Sequence, residues 1–132
     1  DSKSSASSYI TIANNLILSD RDKINRDFGM WENFTVEGNI FYSTHQYAEL
    51  GWALPPGSCR TVDPELTAQD GFMQLTPQSP AVDAAVGDYP EVSQDVEGQL
   101  RKGQKDIGAD ELATSGIRYV PLTPSNVGPA AK

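Results

Sequence analysis

The chain has 132 residues, 38% of them hydrophobic, with 11 Gly, 9 Pro, a single Cys and a formal net charge of −8. That size permits one modest domain, and so many turn-forming residues point to short strands and not to long helices. The negative charge excludes a general nucleic-acid binder, which needs clustered Lys and Arg to neutralise phosphates, but leaves room for an acidic polysaccharide met by a local group of cations.

The first eight residues, Asp1 to Ser8, are polar and lack the apolar core of a signal peptide. They read as an exposed loop at which a longer polypeptide was cut or shortened. No apolar run approaches membrane-spanning length, so no membrane partner is expected.

The segment from Tyr9 to Ser19 then returns as the segment from Asn33 to Ser43, with a period of 24 residues. Ile10, Ile12 and Ile17 fall on Phe34, Val36 and Phe41, while Thr11 meets Thr35, Asn15 meets Asn39 and Ser19 meets Ser43. Apolar residues alternate with Thr, as in a strand with one face inward. Asn15 and Asn39 are expected at a corner, stacked about one strand spacing apart, ~4.8 Å, and bonding backbone groups that the turn leaves unpaired. Beside them, Gly38 and Asn14 are the residues that tolerate a positive φ.

A repeat of this length with strand-like alternation predicts an all-β fold, a right-handed parallel β-helix in which each coil buries its apolar face on the next. Residues 1–62 are expected to form terminal β-helix coils, and residues 63–132 the last strands and a C-terminal cap. The alternative is a leucine-rich-repeat solenoid, whose core pattern of apolar residues around an Asn also fits. The Leu expected ahead of each strand is replaced there by Ser7 and Trp31.

Asp20 to Asp27 is a charged excursion on the rim. Its cations Arg21, Lys23 and Arg26 are substrate-binding candidates, because guanidinium groups hold carboxylates through paired hydrogen bonds. Asp20, Asp22 and Asp27 interleave with them, which also suits a self-neutralising loop. His45 and Tyr47 are further candidates, with the imidazole a possible general base; the plainer reading is an exposed His in a loop. Glu32, Asn33 and Glu37 are read as solvated surface and not as a metal site, and Asn33-Phe34-Thr35 is a formal glycosylation sequon whose Phe suits an inward position.

Beyond Ser43 the pattern loosens and Pro55-Pro56-Gly57 breaks any regular element. The lone Cys59 forms no internal disulfide and reads as a small half-buried filler. Residues 63–66 and 71–75 offer short strands, and residues 79–85 a short turn of helix. Asp95 to Gly98 reads as a turn with only a faint calcium-loop look. Arg101 is expected as an ion-pair anchor near Asp106, Asp110 and Glu111. No residue of the chain is assigned as a metal ligand.

Val62-Asp63-Pro64-Glu65-Leu66, the phrase from Ser79 to Pro90, the phrase from Asp95 to Glu111 and the closing phrase from Pro121 to Pro129 together resemble the C-terminal end of chondroitinase-B-like polysaccharide lyases, polysaccharide lyase family 6, which holds many alginate lyases. The resemblance implies cleavage of a uronic-acid polymer by β-elimination. A Lys takes the C5 proton, an Arg assists the leaving oxygen, and Ca²⁺ held by Asn and Glu neutralises the substrate carboxylate. A bound cation is needed because a C5 proton beside a carboxylate is otherwise too weakly acidic. The family's catalytic pair and metal ligands lie upstream of the matched portion, so no catalytic residue is carried onto this chain. It further implies a secreted or periplasmic bacterial protein, alginate as the polymeric partner, and an upstream β-helix portion, in the same chain or a separate one, that completes the enzyme. The alternative function is a non-catalytic carbohydrate-binding or structural β-helix end.

Overall fold

The 24-residue repeat is written into the backbone pairing. In a computed structural model that describes residues 7–20, 31–45, 54–69, 71–112, 119–123 and 125–127, strand β1 (Ser7–Ser8) runs parallel to β4 (Trp31–Glu32), with Ser7 opposite Trp31. Strand β2 (Thr11–Ala13) runs parallel to β5 (Thr35–Glu37), with Thr11 opposite Thr35 and Ile12 opposite Val36. Strand β3 (Leu16–Ser19) runs parallel to β6 (Asn39–Ser43), with Leu16 opposite Ile40 and Ser19 opposite Ser43. The corners repeat too. Tyr9 and Asn33 have φ of 58° and 56°, and Asn14 and Gly38 have φ of 54° and 63°.

The right-handed parallel β-helix expected from this repeat is not what forms. Among the described residues the nine strands fall into four separate small sheets, three of two strands and one of three, with no closed or solenoid sheet. The physical reason lies after Ser43. A third parallel layer contributes only β7 (Cys59–Arg60), two residues paired to Asn39 and Ile40. The chain then turns back on itself in an antiparallel hairpin, β8 (Leu66–Gln69) with β9 (Phe72–Leu75). Two periods carry the register but cannot propagate it. The leucine-rich-repeat alternative is likewise overturned, because the described strands form separate small sheets and no solenoid sheet.

Residues 79–85 form a turn and not the expected turn of helix. Ser79 Oγ donates to Pro64 O at 2.6 Å and accepts from Ala81 N at 3.2 Å, and Asp83 adopts a φ of 50° that no α-helix accommodates.

The core joins both halves of the chain. Ile40, Leu75, Ala81 and Ile107 are buried together, with Leu16, Val62, Leu66, Val82, Ala84 and Ala85 packed around them. Backbone bonds close it, from Ile107 N to Ala81 O at 2.9 Å and from Gly108 N to Asn14 O at 2.9 Å. No helix among the described residues is long and apolar enough to cross a membrane.

Candidate functional site

The corner asparagines are structural. Asn39 is completely buried. Its Oδ1 accepts from the backbone N and the Nδ2 of Asn15, both at 3.0 Å, and its Nδ2 donates to Ile12 O, Glu37 O and Ser58 O. Each polar atom is used on the backbone that the corner would otherwise leave unpaired. Asn15 occupies the same place in the preceding layer but is exposed.

Between that corner and residues 85–109 lies an open cleft of about 680 Å³, lined among others by Asn14, Leu16, Tyr89, Glu91, Gln104 and Lys105. Both of its cationic side chains, Lys105 and Arg101, are hydrogen-bonded. Lys105 Nζ donates to Tyr89 O at 2.5 Å, and Tyr89 Oη donates to Glu37 Oε1 at 2.7 Å. That bond to Glu37, with some desolvation, raises the phenol above its ordinary value. Arg101, which also reaches the cleft, is spent on Glu111 Oε2 at 2.9 Å and on the carbonyls of Gly108, Asp106 and Gln94.

The expected Arg101 anchor exists, with Glu111 as its partner. Asp106 plays another part. Its carboxylate accepts from the backbone N of Asp83 and of Leu112, each at 2.6 Å, and so ties the turn after Ser79 to the tail.

The third arrangement is a buried group of acids. Asp95 Oδ1 accepts from Glu97 N at 3.0 Å and Gln99 N at 2.7 Å, and its Oδ2 from Glu111 N at 3.3 Å. Glu97 accepts from Gln74 Nε2 at 2.7 Å and from Gln99 Nε2 at 3.0 Å, and Asp110 accepts from Leu75 N at 2.6 Å. Asp95, Glu97 and Asp110 are 8%, 1% and 8% exposed, and one oxygen of each lies within 4.8 Å of the others. They are the residues among those described that bring three such ligand atoms together. Burial pushes the Asp110 carboxyl up, and the Glu97 and Asp95 charges add to the shift. Desolvation likewise raises Glu111, against the pull of Arg101.

The turn expected from Asp95 to Gly98 is present: Gly98 N donates to Asp95 O at 3.2 Å, with Gly98 at a φ of 78°. The inward acids on it are not among the residues the sequence singles out as ligands. Their signal is an inverted alternation, in which Asp95, Glu97 and Gln99 face inward while Val96 and Leu100 face solvent.

Of the substrate-binding candidates, Arg21, Lys23, Arg26 and Tyr47 lie outside the described residues. His45 is exposed just past β6, its backbone N donating to Ser43 Oγ at 3.3 Å, and it does not line the cleft. Glu37 serves Tyr89, and Asn33 sits exposed in its turn. No protein-family model, curated protein or solved structure matches the chain.

Proposed function

We propose that this chain is the closing, non-catalytic part of a polysaccharide lyase acting on alginate or a related uronic-acid polymer, with the reacting residues and the catalytic Ca²⁺ supplied by polypeptide docked on its strand edge. The sequence phrases at residues 62–66, 79–90, 95–111 and 121–129 support the polymer class. The observation that carries the docking is the contrast between equivalent positions one layer apart. Asn15 and Ile17 are exposed, Ile17 at 39%, while Asn39 and Phe41, which face them in register, are at 0% and 3%. Strand β3 is the edge of its sheet, and Ile10 and Leu18 add to the apolar surface on the same layer.

The occupant is a further pair of parallel strands with an Asn at its corner. Such a segment would continue the β3–β6 hydrogen bonding and would set an amide against Asn15 as Asn15 sets one against Asn39. That Arg101 of the cleft is tied to Glu111 and to three backbone carbonyls suits a supporting role.

The test is the native and denatured mass of functional material, with unsaturated uronate product followed on alginate. A complex that resolves into this chain and a larger polypeptide, and that loses lyase activity when separated, is the expected result. Elimination by this chain alone would overturn the division of labour. A functional monomer that binds the polymer without cleaving it would replace it with the carbohydrate-binding reading.

A further inference from the structure

The structure assigns a second role to the acidic group, one independent of any polysaccharide chemistry: we propose that Asp95, Glu97 and Asp110, with Gln99, form a Ca²⁺ site that locks the turn at residues 95–99 to strand β9 and to the tail at residues 106–111.

Charge is the first argument. Three carboxylates stand almost fully buried, and among the described residues each hydrogen bond they receive comes from a neutral amide: the backbone N–H groups of Glu97, Gln99, Glu111 and Leu75 and the side chains of Gln74 and Gln99. The nearby guanidinium of Arg101 is paired to Glu111. Neutral donors orient buried carboxylates but do not cancel their charge, and buried charges are otherwise paired or bound to metal.

Gln99 supplies the second, independent argument. Its side chain is 6% exposed, its amide meets the group through Nε2 to Glu97 Oε2, and its Oε1 is buried with no hydrogen-bond partner. A buried amide oxygen left unpaired, on a side chain whose nitrogen meets Glu97, is costly, since no donor offsets its desolvation. A cation removes that cost, because amide carbonyl oxygens are ordinary Ca²⁺ ligands. As it stands the amide faces Glu97 with Nε2, and rotation of its plane presents Oε1 to the group, an exchange that leaves the side chain in place.

The donor set favours Ca²⁺ over Mg²⁺. One oxygen of each carboxylate lies within 4.8 Å of the others, inside the limit of about 5.2 Å between two ligands on opposite sides of Ca²⁺. Mg²⁺ demands near-ideal octahedral geometry and keeps several waters, whereas Ca²⁺ accepts an irregular set of protein oxygens. Three carboxylates, two or three of them bidentate, and one carbonyl give the coordination number Ca²⁺ prefers.

The test uses the 132-residue chain, stripped with EDTA and titrated calorimetrically with CaCl2 and separately with MgCl2, with thermal melts in both salts. Expected are one saturable Ca²⁺ per chain with Kd of about 1 mM or tighter, Mg²⁺ weaker by about tenfold or more, and a Tm that rises with Ca²⁺ concentration. Asp110→Asn should weaken Ca²⁺ binding by about tenfold or more, and Gln99→Glu, which adds a charged ligand, should preserve or tighten it. Should Asp110→Asn fail to fold, Gln99→Ala is the readout, with a weaker Kd expected. A chain folded by circular dichroism that shows neither saturable heat nor a Tm shift up to about 10 mM Ca²⁺ overturns the site. So does a folded Asp110→Asn that binds like the parent. Neither result bears on the mass and lyase measurements, so the two proposals fail separately.

Discussion

Asn14 and Val86 exchange two hydrogen bonds across 72 residues of chain: Asn14 Nδ2 donates to Val86 O at 2.8 Å and Val86 N donates to Asn14 Oδ1 at 2.9 Å. The amide thus mimics a strand neighbour and stitches the first corner to the segment that covers it. Gly38 lies against the same pair. A Cβ there would clash with Asn14 Oδ1 and meet Val86 Cγ2 at 2.6 Å. The corner therefore requires glycine for space as well as for its φ of 63°.

Asn14→Gly keeps the left-handed backbone and removes both side-chain bonds. It should lower stability by about 1–3 kcal/mol, read as a lower urea midpoint with the slope unchanged. Gly38→Ala should cost about 2 kcal/mol or more, combining left-handed strain with the clash. In the Asn14→Gly background its added penalty should shrink, because the obstructing amide is gone; strictly additive costs would show that the clash is not with Asn14.

Arg101→Ala removes the partner of Glu111 from a buried pair whose side chains are 4% and 8% exposed, and strips three backbone carbonyls of a donor. A loss of about 3–5 kcal/mol is expected, since what remains is an uncompensated buried carboxylate. Arg101→Lys keeps the charge but not the fork, so a midpoint between those of Ala and the parent chain should follow.

Burial pushes the Cys59 thiol up, against a smaller opposing effect from a hydrogen bond with the Phe41 backbone. The thiolate is the reactive form, so alkylation by iodoacetamide at pH 7 should be slower than for free cysteine. Its rate should keep climbing above the ordinary thiol range. A rate that levels off below that range would contradict the burial.

The edge of β3 supplies another measurement. Ile17 and Leu18 are 39% and 41% exposed on the outer edge of their sheet, which makes the isolated chain prone to edge-to-edge association. Ile17→Lys should leave the melt almost unchanged while reducing self-association in sedimentation. In the presence of the docked polypeptide of the proposed lyase, the same substitution should weaken the complex.

The register is legible in the sequence because it is periodic. Strand pairings 24 residues apart, the stacked Asn15 and Asn39, and left-handed Asn14 and Gly38 all follow from matching residue types at matching positions. A β-helix does not follow, because two periods define a register and no more. Where the layer thins to Cys59–Arg60, nothing in the local pattern announces the antiparallel hairpin that comes next. The acidic site is hidden for a different reason: Asp110 joins Asp95 and Glu97 through tertiary packing, with Gln74 and Leu75 of β9 contributing the donors. Only the Asp-x-Glu-x-Gln alternation is visible, and its meaning depends on which side faces in.

The bond from Gly108 N to Asn14 O, beside those from Asn14 to Val86, also sets an order of events in time. Strands β2 and β3 cannot complete the corner between them on a ribosome until residue 108 has left the exit tunnel. The core, which joins Leu16 and Ile40 to Ile107, waits equally long. Loop closure over that distance precedes any reward from the contacts, so the core closes only once the segment up to residue 108 has been made. Throughout that interval the β2 and β3 strands have apolar faces without a cover, and the nascent chain is most vulnerable to aggregation there.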